Sequence, residues 1–372
     1  MPAAAADGKQ HHAQRDDTAA HRTGPTHLER AFLLASRRTD PASITNLPSG
    51  PPTTAGPGEF RTHELELPAA AAGLRFDQAL ARALPQYSRG QLKAWIDSGA
   101  ARTAGRALRG KDRVLGGERV RIEARLESRT EAAAEAMPLT VVFRDRALLV
   151  IDKPAGMVVH PGAGNPRHTL QNALLGLDAK LALVPRAGLV HRLDKDTSGL
   201  LVVARTPEAH AALVAALAAR AISRQYLAVC TGVMTGGGTV DEPIGRHRTQ
   251  RLRMAVRRDG RPALTRYRVL KRFRAHTLAR VELGSGRTHQ IRVHLAHIGF
   301  PIVGDPLYGG RRRIPAGCTP ELVAALNAFH RQALHAERLA LAHPVTGRAM
   351  EWRAAPPADF EALLAALERD AA

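Results

Sequence analysis

A short stretch of the chain carries apolar residues at the four-residue spacing of a helix. The apolar positions of this first helix are Phe76, Leu80 and Leu84. Pro85 ends it, and Ser88 with Gln91 three residues later is typical of the capping box that starts a second helix. The apolar positions of the second helix are Leu92 and Ile96. The pattern therefore predicts two short consecutive helices.

A strand-like pattern follows these helices. Val120 and Ile122 alternate with polar residues after Gly116 and Gly117, which predicts a hairpin over residues 114–123. The helices and the hairpin together predict a compact unit over residues 74–124. Its basic residues are Arg75, Arg82, Arg89, Lys93, Arg102, Arg106, Arg109 and Lys111. This arrangement resembles an S4-like RNA-binding domain, with Arg89 and Lys93 as RNA contacts, although a solvated basic face on a packing module would give the same pattern.

Short apolar runs recur farther along the chain and predict strands. They cover residues 139–143, 148–151, 200–204, 226–229, 264–270 and 278–283. Between them, Thr206 before Pro207 starts one helix and Thr288 starts another. Many strands with few intervening helices predict an α+β domain over residues 138–365, built on a mixed, largely antiparallel sheet.

Two stretches lack this periodicity. Residues 1–63 are rich in Ala, His, Thr and Pro, which predicts a disordered N-terminal extension. Residues 125–137 are rich in Ala and Glu, which predicts a linker and is compatible with a helix there. The chain is thus expected to hold an extension, a small module, a linker and a larger domain.

The charge of the chain points to a polyanionic partner. The 372 residues include 54 Lys and Arg against 34 Asp and Glu, a net charge of +20. The first 63 residues contribute 7 basic against 6 acidic residues, so the excess lies on the folded part. Spread over a folded surface, such charge favours nucleic acid over a membrane. Without an apolar run of about 18 residues, we expect no membrane span and a cytoplasmic protein.

One polar segment stands directly before an apolar strand. It reads His-Arg-Leu-Asp-Lys-Asp-Thr-Ser-Gly over residues 191–199 and contains two carboxylates, Asp194 and Asp196. An extended segment would turn both carboxylates to one side, and a tight turn would make them diverge. Taken alone, the segment is typical of an Asx-turn in which Asp and Ser satisfy local backbone donors.

Three further segments change that interpretation. They are Val-His-Pro-Gly-Ala-Gly-Asn-Pro at 159–166, Ser-Arg-Gln-Tyr at 223–226, and Gly-Arg-Thr-His-Gln-Ile-Arg-Val-His at 286–294. In this order, with residues 191–199, they resemble the RNA pseudouridine synthases of the large-subunit ribosomal RNA family. The S4-like module makes the resemblance closest to the D type of that family. The resemblance implies the pseudouridine synthase fold and isomerisation of uridine in a stem-loop of 23S ribosomal RNA. It implies no cofactor and no metal ion, and we expect a monomer.

The resemblance also assigns roles to residues. Asp194 is the catalytic carboxylate, which attacks the ribose, stabilises charge there or removes a sugar proton. Arg287 is the cation that keeps this carboxylate charged, and Tyr226 stacks on the uracil and handles the proton at C5. Arg192 fills the gap left by the flipped base or contacts a phosphate, and His191 of the same motif is an RNA contact.

A run of arginines over residues 245–261 predicts a basic hairpin arm that turns at Gly260. The arginines of this run with a predicted RNA contact are Arg246, Arg248, Arg251 and Arg253. Residues 311–313, all arginine, form a second basic patch. A solvated charged face is the plain alternative for such runs.

Two other functions stay open. One is a catalytically idle RNA-binding protein of ribosome assembly, which would need the basic surfaces but not the three catalytic residues. The other is a metal-dependent hydrolase of phosphate esters. His289, His294 and His297 lack the spacing of a helical zinc pair, and Cys230 and Cys318 are too few for a cysteine site.

Overall fold

The computed structural model describes residues 60–104, 107–125, 130–162, 164–310 and 314–371. Two of the sequence predictions concern residues outside these ranges. Residues 1–59 of the predicted extension and the basic patch at 311–313 lie outside the described residues.

The small module is a three-stranded antiparallel sheet with two helices packed on it. The strands are β1 (Phe60–Glu66), β2 (Ala101–Thr103) and β3 (Arg119–Arg125), and the helices are α1 (Phe76–Ala83) and α2 (Arg89–Asp97). Both helices are confirmed, and their apolar faces form a core with the sheet. The strand order is β1-β3-β2. The module begins before residue 74, because β1 pairs with β3 along its whole length.

Two local predictions in this module are corrected. Ser88 caps α2 by accepting a hydrogen bond from the backbone amide of Gln91 at 3.2 Å. The reciprocal half of a capping box is missing, because the side-chain oxygen of Gln91 has no hydrogen-bond partner. The predicted hairpin over residues 114–123 is wrong. Gly116 and Gly117 have φ of 87° and 84° and do form a turn, but β3 pairs with β1 and β2 rather than with the segment before the turn.

The larger domain is built on a nine-stranded sheet, counted over the described residues. Its strands are β4 (Thr140–Arg144), β5 (Leu148–Lys153), β6 (Ser198–Ala204), β7 (Ser223–Thr231), β8 (Gly238–Asp241), β11 (Leu264–Arg272), β12 (His276–Leu283), β13 (Leu334–Ala342) and β14 (Ala349–Arg353). The order is β4-β5-β6-β13-β7-β12-β11-β8, with β14 beside β13. The β6–β13 pair is parallel and the others are antiparallel, so the predicted mixed, largely antiparallel sheet is confirmed.

A separate two-stranded ribbon, β9 (Ile244–Arg246) and β10 (Met254–Val256), forms the predicted basic arm. The arm itself turns between these two strands, whereas the turn predicted at Gly260 follows β10, where the amide of Gly260 donates to the carbonyl of Arg257 at 2.9 Å. Gly260 also packs on the backbone of Ile244, where a Cβ would lie 2.6 Å from the carbonyl carbon. We call residues 244–256 the basic arm.

Helices cover parts of the sheet. They are α3 (Leu170–Leu177), α4 (Pro207–Ala218), α5 (Gln290–His297), α6 (Pro320–Ala328) and α7 (Ala358–Ala371), with short 3-10 turns at Ala179–Leu183 and Pro185–Gly188. Thr206 caps α4 as predicted, by accepting from the amide of Ala209 at 3.1 Å. The helix predicted to start at Thr288 begins two residues later, after His289 in a left-handed conformation. Among these described helices, none is both long and apolar enough to cross a bilayer.

The centre of the sheet is buried on both faces. Leu201 and Val203 of β6 join one apolar core, while Leu200 and Val202 join another on the opposite face. Every residue of β6 is buried. Because side chains alternate across a strand, this strand is held from both sides, and the segment that leads into it starts from a rigid base.

The predicted linker forms neither helix nor strand over residues 130–137. Its backbone lies along α3. The side-chain amide of Asn172 donates to the carbonyl of Ala133 at 2.8 Å, and the backbone carbonyl of Asn172 accepts from the amide of Glu135 at 3.0 Å. The hydrogen bonds of this segment are therefore made with the larger domain.

Candidate active site

The polar segment at residues 191–197 forms a turn immediately before β6. The amide of Thr197 donates to the carbonyl of Asp194 at 3.1 Å, so the two carboxylates of the segment diverge. The side chain of Asp194 is 15 % exposed and lines a cavity. Asp194 is therefore largely buried yet accessible from the cavity.

A buried lysine holds this turn in place. Lys153 at the end of β5 is fully buried, and its ammonium donates to the carbonyl of Lys195 at 3.0 Å. It also donates to the carbonyls of Pro154 at 2.7 Å and Met157 at 3.0 Å. Burial lowers the pKa of Lys153 to about 7. Three donors on three backbone carbonyls tie the turn to the neighbouring strand.

Arg292 on α5 is the cation that meets Asp194. Its Nη1 donates to Oδ2 of Asp194 at 3.0 Å, while Nε and Nη2 donate to the two oxygens of Asp305 at 2.7 Å and 2.9 Å. Burial opposes the charge of Arg292, but the hydrogen bonds and charge of Asp305, with the charge of Asp194, raise its pKa above the usual value. Asp305 thus fixes the guanidinium, and the remaining donor fixes Asp194.

This geometry corrects the assignment of Arg287. Arg287 is exposed, and its Nε donates to the carbonyl of Pro262 at 3.1 Å. Both arginines lie in the segment 286–294, but the left-handed turn at His289 and the helix after it direct Arg292 toward Asp194. Arg287 instead lines the cavity.

His289 and Tyr308 lie on the other side of Asp194. The hydroxyl of Tyr308 accepts from the backbone amide of Met254 in the basic arm at 2.8 Å. The same hydroxyl is 2.8 Å from Nδ1 of His289. In the tautomer that accepts the hydroxyl proton at Nδ1, the ring proton is on Nε2, which lies 4.0 Å from Oδ1 of Asp194. Burial lowers the pKa of His289, which favours the neutral ring beside the carboxylate.

Tyr226 brings an aromatic ring to the same cavity. It lies on β7, is 4 % exposed and is a lining residue together with Asp194. Burial raises the pKa of its hydroxyl, and the charge of Asp194 adds to the shift. The phenol is therefore protonated at neutral pH and able to donate a proton.

His191, the predicted RNA contact before Asp194, is a half-buried, neutral ring. Its Nε2 accepts from the backbone amide of Val202 at 3.2 Å, which ties the segment to β6. Burial and the nearby charge of Arg224 lower the pKa of His191 to about 3. His191 lines the cavity, and its Nδ1 is buried without a hydrogen-bond partner. Arg192, in contrast, is exposed at the cavity's edge.

The cavity has a volume of about 730 Å³. Pockets of this size hold molecules as large as a nucleoside. Its lining brings together Asp194, Tyr226, Arg192, His191, Arg224 and Arg287. Of the three residues predicted to be catalytic, all line this cavity, although Arg287 is not the partner of the carboxylate.

The arginines of the basic arm differ in their freedom. Arg246, Arg248 and Arg251 are exposed. Arg253 packs back on the protein: it donates to the side chain of Gln250 at 2.8 Å and to the carbonyl of Leu307, and lies over the ring of Tyr308. The arm therefore presents part of its charge to solvent and uses the rest to attach itself near the cavity.

The predicted contacts of the small module are both on the surface of α2. Arg89 is exposed, and Lys93 is exposed and paired with Asp97 one turn away. Exposed pairs of this kind are weak and leave the lysine available to a stronger anion.

Comparison with known proteins identifies the fold family. Residues 147–297 match the family described as RNA pseudouridylate synthase. The ribosomal large subunit pseudouridine synthase D of Xanthomonas campestris pv. campestris is 56 % identical over 306 residues, which cover 82 % of this chain and 92 % of that protein. The chain belongs to the RNA pseudouridylate synthase family.

Other pseudouridine synthases give the same result. The proteins of the same name from Yersinia pestis and Pseudomonas aeruginosa are each 53 % identical, over 80 % and 82 % of this chain and 92 % and 95 % of their own lengths. A solved human structure, RNA pseudouridylate synthase domain containing 4, is 27 % identical over 61 % of this chain and 92 % of its own, with a TM-score of 0.49. The high identity to the bacterial relatives, over most of this chain and of theirs, shows that this pseudouridine synthase is an enzyme of the predicted class.

Four residues of the site escaped the sequence analysis. Arg292 was inside a recognised motif without a role, and Tyr308 and Asp305 lie in a loop that carries no pattern. Lys153 looked like the ordinary end of a strand. The sequence held one signal for the true partner of Asp194: the segment 286–294 contains a second arginine, Arg292, five positions after Arg287.

Proposed function

We propose that this pseudouridine synthase isomerises specific uridines in a stem-loop of large-subunit ribosomal RNA, with Asp194 as the catalytic carboxylate. The reaction breaks the bond between ribose C1′ and base N1, turns the uracil and joins C5 to C1′. No electrons are transferred. The observation that carries the proposal is a cavity of about 730 Å³ in which a guanidinium holds one carboxylate beside a buried tyrosine.

The surroundings of Asp194 suit a charged carboxylate under a base. The guanidinium of Arg292 donates to Oδ2 of Asp194 at 3.0 Å and pairs the carboxylate with a fixed positive charge. Nε2 of His289 lies 4.0 Å from the other oxygen. An ionised Asp194 so held is able to approach the ribose C1′ or a sugar proton.

Tyr226 and Arg192 have complementary parts in this proposal. The ring of Tyr226 stacks on the uracil, and its protonated hydroxyl exchanges the proton at C5. A stacked base must first leave the RNA helix, at a cost of a few kcal/mol. Arg192, exposed at the edge of the cavity, takes the space that the flipped base leaves.

Two basic surfaces support RNA as the substrate. The exposed arginines of the basic arm face solvent near the cavity, and the small module carries Arg89 and Lys93 on α2. We interpret the small module as an S4-like RNA-binding domain and the arm as a grip on an RNA stem. The relatives' name, ribosomal large subunit pseudouridine synthase, supports ribosomal RNA, and the protein would then act in the cytoplasm.

Pseudouridine mapping in cells tests the proposal. Ribosomal RNA is compared between cells that lack the protein and the same cells complemented with wild type or with Asp194→Asn. We expect wild type to restore specific marks and Asp194→Asn to restore none, because the amide keeps the shape of the side chain but loses the charge.

Asp196→Asn is the matched control. Asp196 lies two residues on in the same turn, where its contact with Arg331 is made by the backbone carbonyl and survives the change. It should restore the marks. Restoration by Asp194→Asn would refute the catalytic role, and unchanged ribosomal RNA in the deletion strain would refute ribosomal RNA as the substrate.

A further inference from the structure

Three arginines on adjacent strands of the central sheet differ in whether a carboxylate pairs with them. Arg280 on β12 donates to Glu337 at 3.2 Å, and Arg338 on β13 donates to Glu351 at 2.6 Å. Arg224 lies on β7, the strand between those two. It is only 8 % exposed, and its Nε is buried with no hydrogen-bond partner. Within the described part of the chain, Arg224 has no carboxylate at ion-pair distance.

The guanidinium of Arg224 faces the cavity. Arg224 and Tyr226 are two residues apart on β7, so their side chains lie on the same face of the strand, and both line the cavity. On the far side, Nη1 approaches Gly286, where a Cβ would lie 3.1 Å from it. A side chain at position 286 would therefore crowd the guanidinium.

A buried, unpaired charge is costly. Removing a charged group from water costs several kcal/mol unless a partner replaces the lost hydrogen bonds. The sheet supplies that partner to Arg280 and Arg338 but not to Arg224, whose guanidinium is left to solvent in the cavity or to an oxygen of a bound ligand. The charge of Arg224 already acts on the site, since it adds to burial in lowering the pKa of His191.

We propose that Arg224 recognises the target base: it donates hydrogen bonds to a carbonyl oxygen of the flipped uracil and stabilises the negative charge that the uracil gains during the reaction. This inference rests on the proposed use of the cavity as the uridine site. When N1–C1′ breaks, the electron pair leaves with the uracil and its charge spreads onto the carbonyl oxygens. The cleavage leaves C1′ electron-deficient beside Asp194. C5 of the uracil then gives an electron pair to C1′, which removes the negative charge, and the proton at C5 is finally transferred to N1.

The depth of Arg224 favours the base over a phosphate. A flipped nucleotide places its base in the pocket while its backbone stays at the rim. The exposed Arg192 is at that rim, whereas Arg224 is 8 % exposed and on the same strand face as Tyr226. A buried donor that meets developing charge acts mainly on the chemical step.

Steady-state kinetics of Arg224→Gln on an RNA stem-loop substrate test the proposal. We expect kcat to fall by about 10²-fold with KM changed less than about threefold, the usual size for loss of one donor to a developing oxyanion. Arg224→Lys should recover part of the loss, because it restores the charge without the fork. Circular dichroism and the thermal midpoint check that each variant is folded.

Arg338→Gln is the matched control. Its Nε is also buried and unpartnered, and it lies opposite Gln225, but Glu351 already pairs with its guanidinium. It should lower the thermal midpoint and leave kcat within about twofold. An equal loss of kcat in both variants would mean that Arg224 acts through the fold, which would overturn the proposal.

Modified substrates separate the base from the phosphate. In a double-substitution cycle, Arg224→Gln is combined with 2-thiouridine or 4-thiouridine at the target, and separately with a neutral methylphosphonate linkage beside it. We expect one thio substitution to reduce the effect of Arg224→Gln, because sulfur accepts hydrogen bonds weakly, and the methylphosphonate to leave it unchanged. Coupling to the methylphosphonate alone would identify a phosphate contact and overturn the base assignment. A wild type without activity on any RNA would instead refute the proposed function.

Discussion

Replacing Arg292 by lysine tests how the catalytic carboxylate is held. The arginine makes three charge-assisted hydrogen bonds, two to Asp305 and one to Asp194. Lysine keeps the charge but has a single nitrogen, which cannot span two carboxylates in fixed directions. The paired oxygens of Asp305 should retain it, so the bond to Asp194 is the one lost.

The expected loss follows from that single bond. A hydrogen bond to a charged group contributes about 1.5–3 kcal/mol, and 1.4 kcal/mol corresponds to a factor of ten. We therefore expect kcat of Arg292→Lys to fall by about 10- to 150-fold. KM should change little, because Asp194 acts on the ribose and contributes little to the binding of a whole stem-loop.

The assay is single-turnover formation of pseudouridine with enzyme in excess, at a temperature where both proteins are folded. Arg287→Lys is the control, since Arg287 lies in the same segment but donates to the carbonyl of Pro262. It should keep a rate within about fivefold of wild type. A wild-type rate in Arg292→Lys, or a larger loss in Arg287→Lys, would refute this account of Asp194.

Three further predictions follow from the site and the arm. Lys153 has a pKa of about 7 when folded, below its unfolded value, so between about pH 7 and 10 the unfolded chain binds a proton that the folded protein lacks; stability therefore falls as pH drops from about 10 to 7 and is level below 7. Urea unfolding from pH 6 to 9 should show stability rising by about 1 kcal/mol per pH unit above 7 from this group, and a Lys153→Met protein with the same slope would contradict it. Tyr308→Phe keeps the ring but frees His289 to change tautomer, so kcat should fall by about three- to tenfold with RNA affinity unchanged; lost affinity with normal kcat would count against that role. Replacing Arg248 and Arg251 together by glutamine should lower the salt slope of RNA binding by roughly 1.4–1.8, measured by titration at several salt concentrations, and an unchanged slope would remove them from the interface.

The sequence indicated the sheet and the catalytic segment because both are local patterns. Apolar runs marked the strands of the larger domain, and the order of four motifs pointed to Asp194. β1 was missed because its residues, Phe60–Glu66, alternate weakly and lie beside a Pro-rich stretch. The hairpin predicted at Gly116 and Gly117 failed because strand pairing is not local. β3 pairs with β1 and β2, which come from earlier parts of the chain.

The partner of Asp194 was missed for a geometric reason. Arg287 and Arg292 lie in one motif, and either one has the chemistry to hold a carboxylate. Their directions depend on the backbone at His289, whose φ of 56° is uncommon for a residue other than glycine. Arg224 lies in the recognised segment 223–226 but received no role there, because only three-dimensional pairing reveals which of three arginines has no carboxylate.

The parallel pairing of β6 with β13 also bears on how the protein is made. His335 and Ala336 of β13 lie beside Ser198 and Gly199, the residues that directly follow the catalytic turn. A Cβ at Gly199 would lie 2.4 Å from the carbonyl oxygen of Ala336, so the two strands meet backbone to backbone. During synthesis the catalytic turn emerges well over one hundred residues before its neighbouring strand. In a growing chain the basic arm would be synthesised while the edge of β6 that pairs with β13 is still unpaired. The catalytic turn would reach its final structure, and the enzyme its activity, only after β13 has been translated.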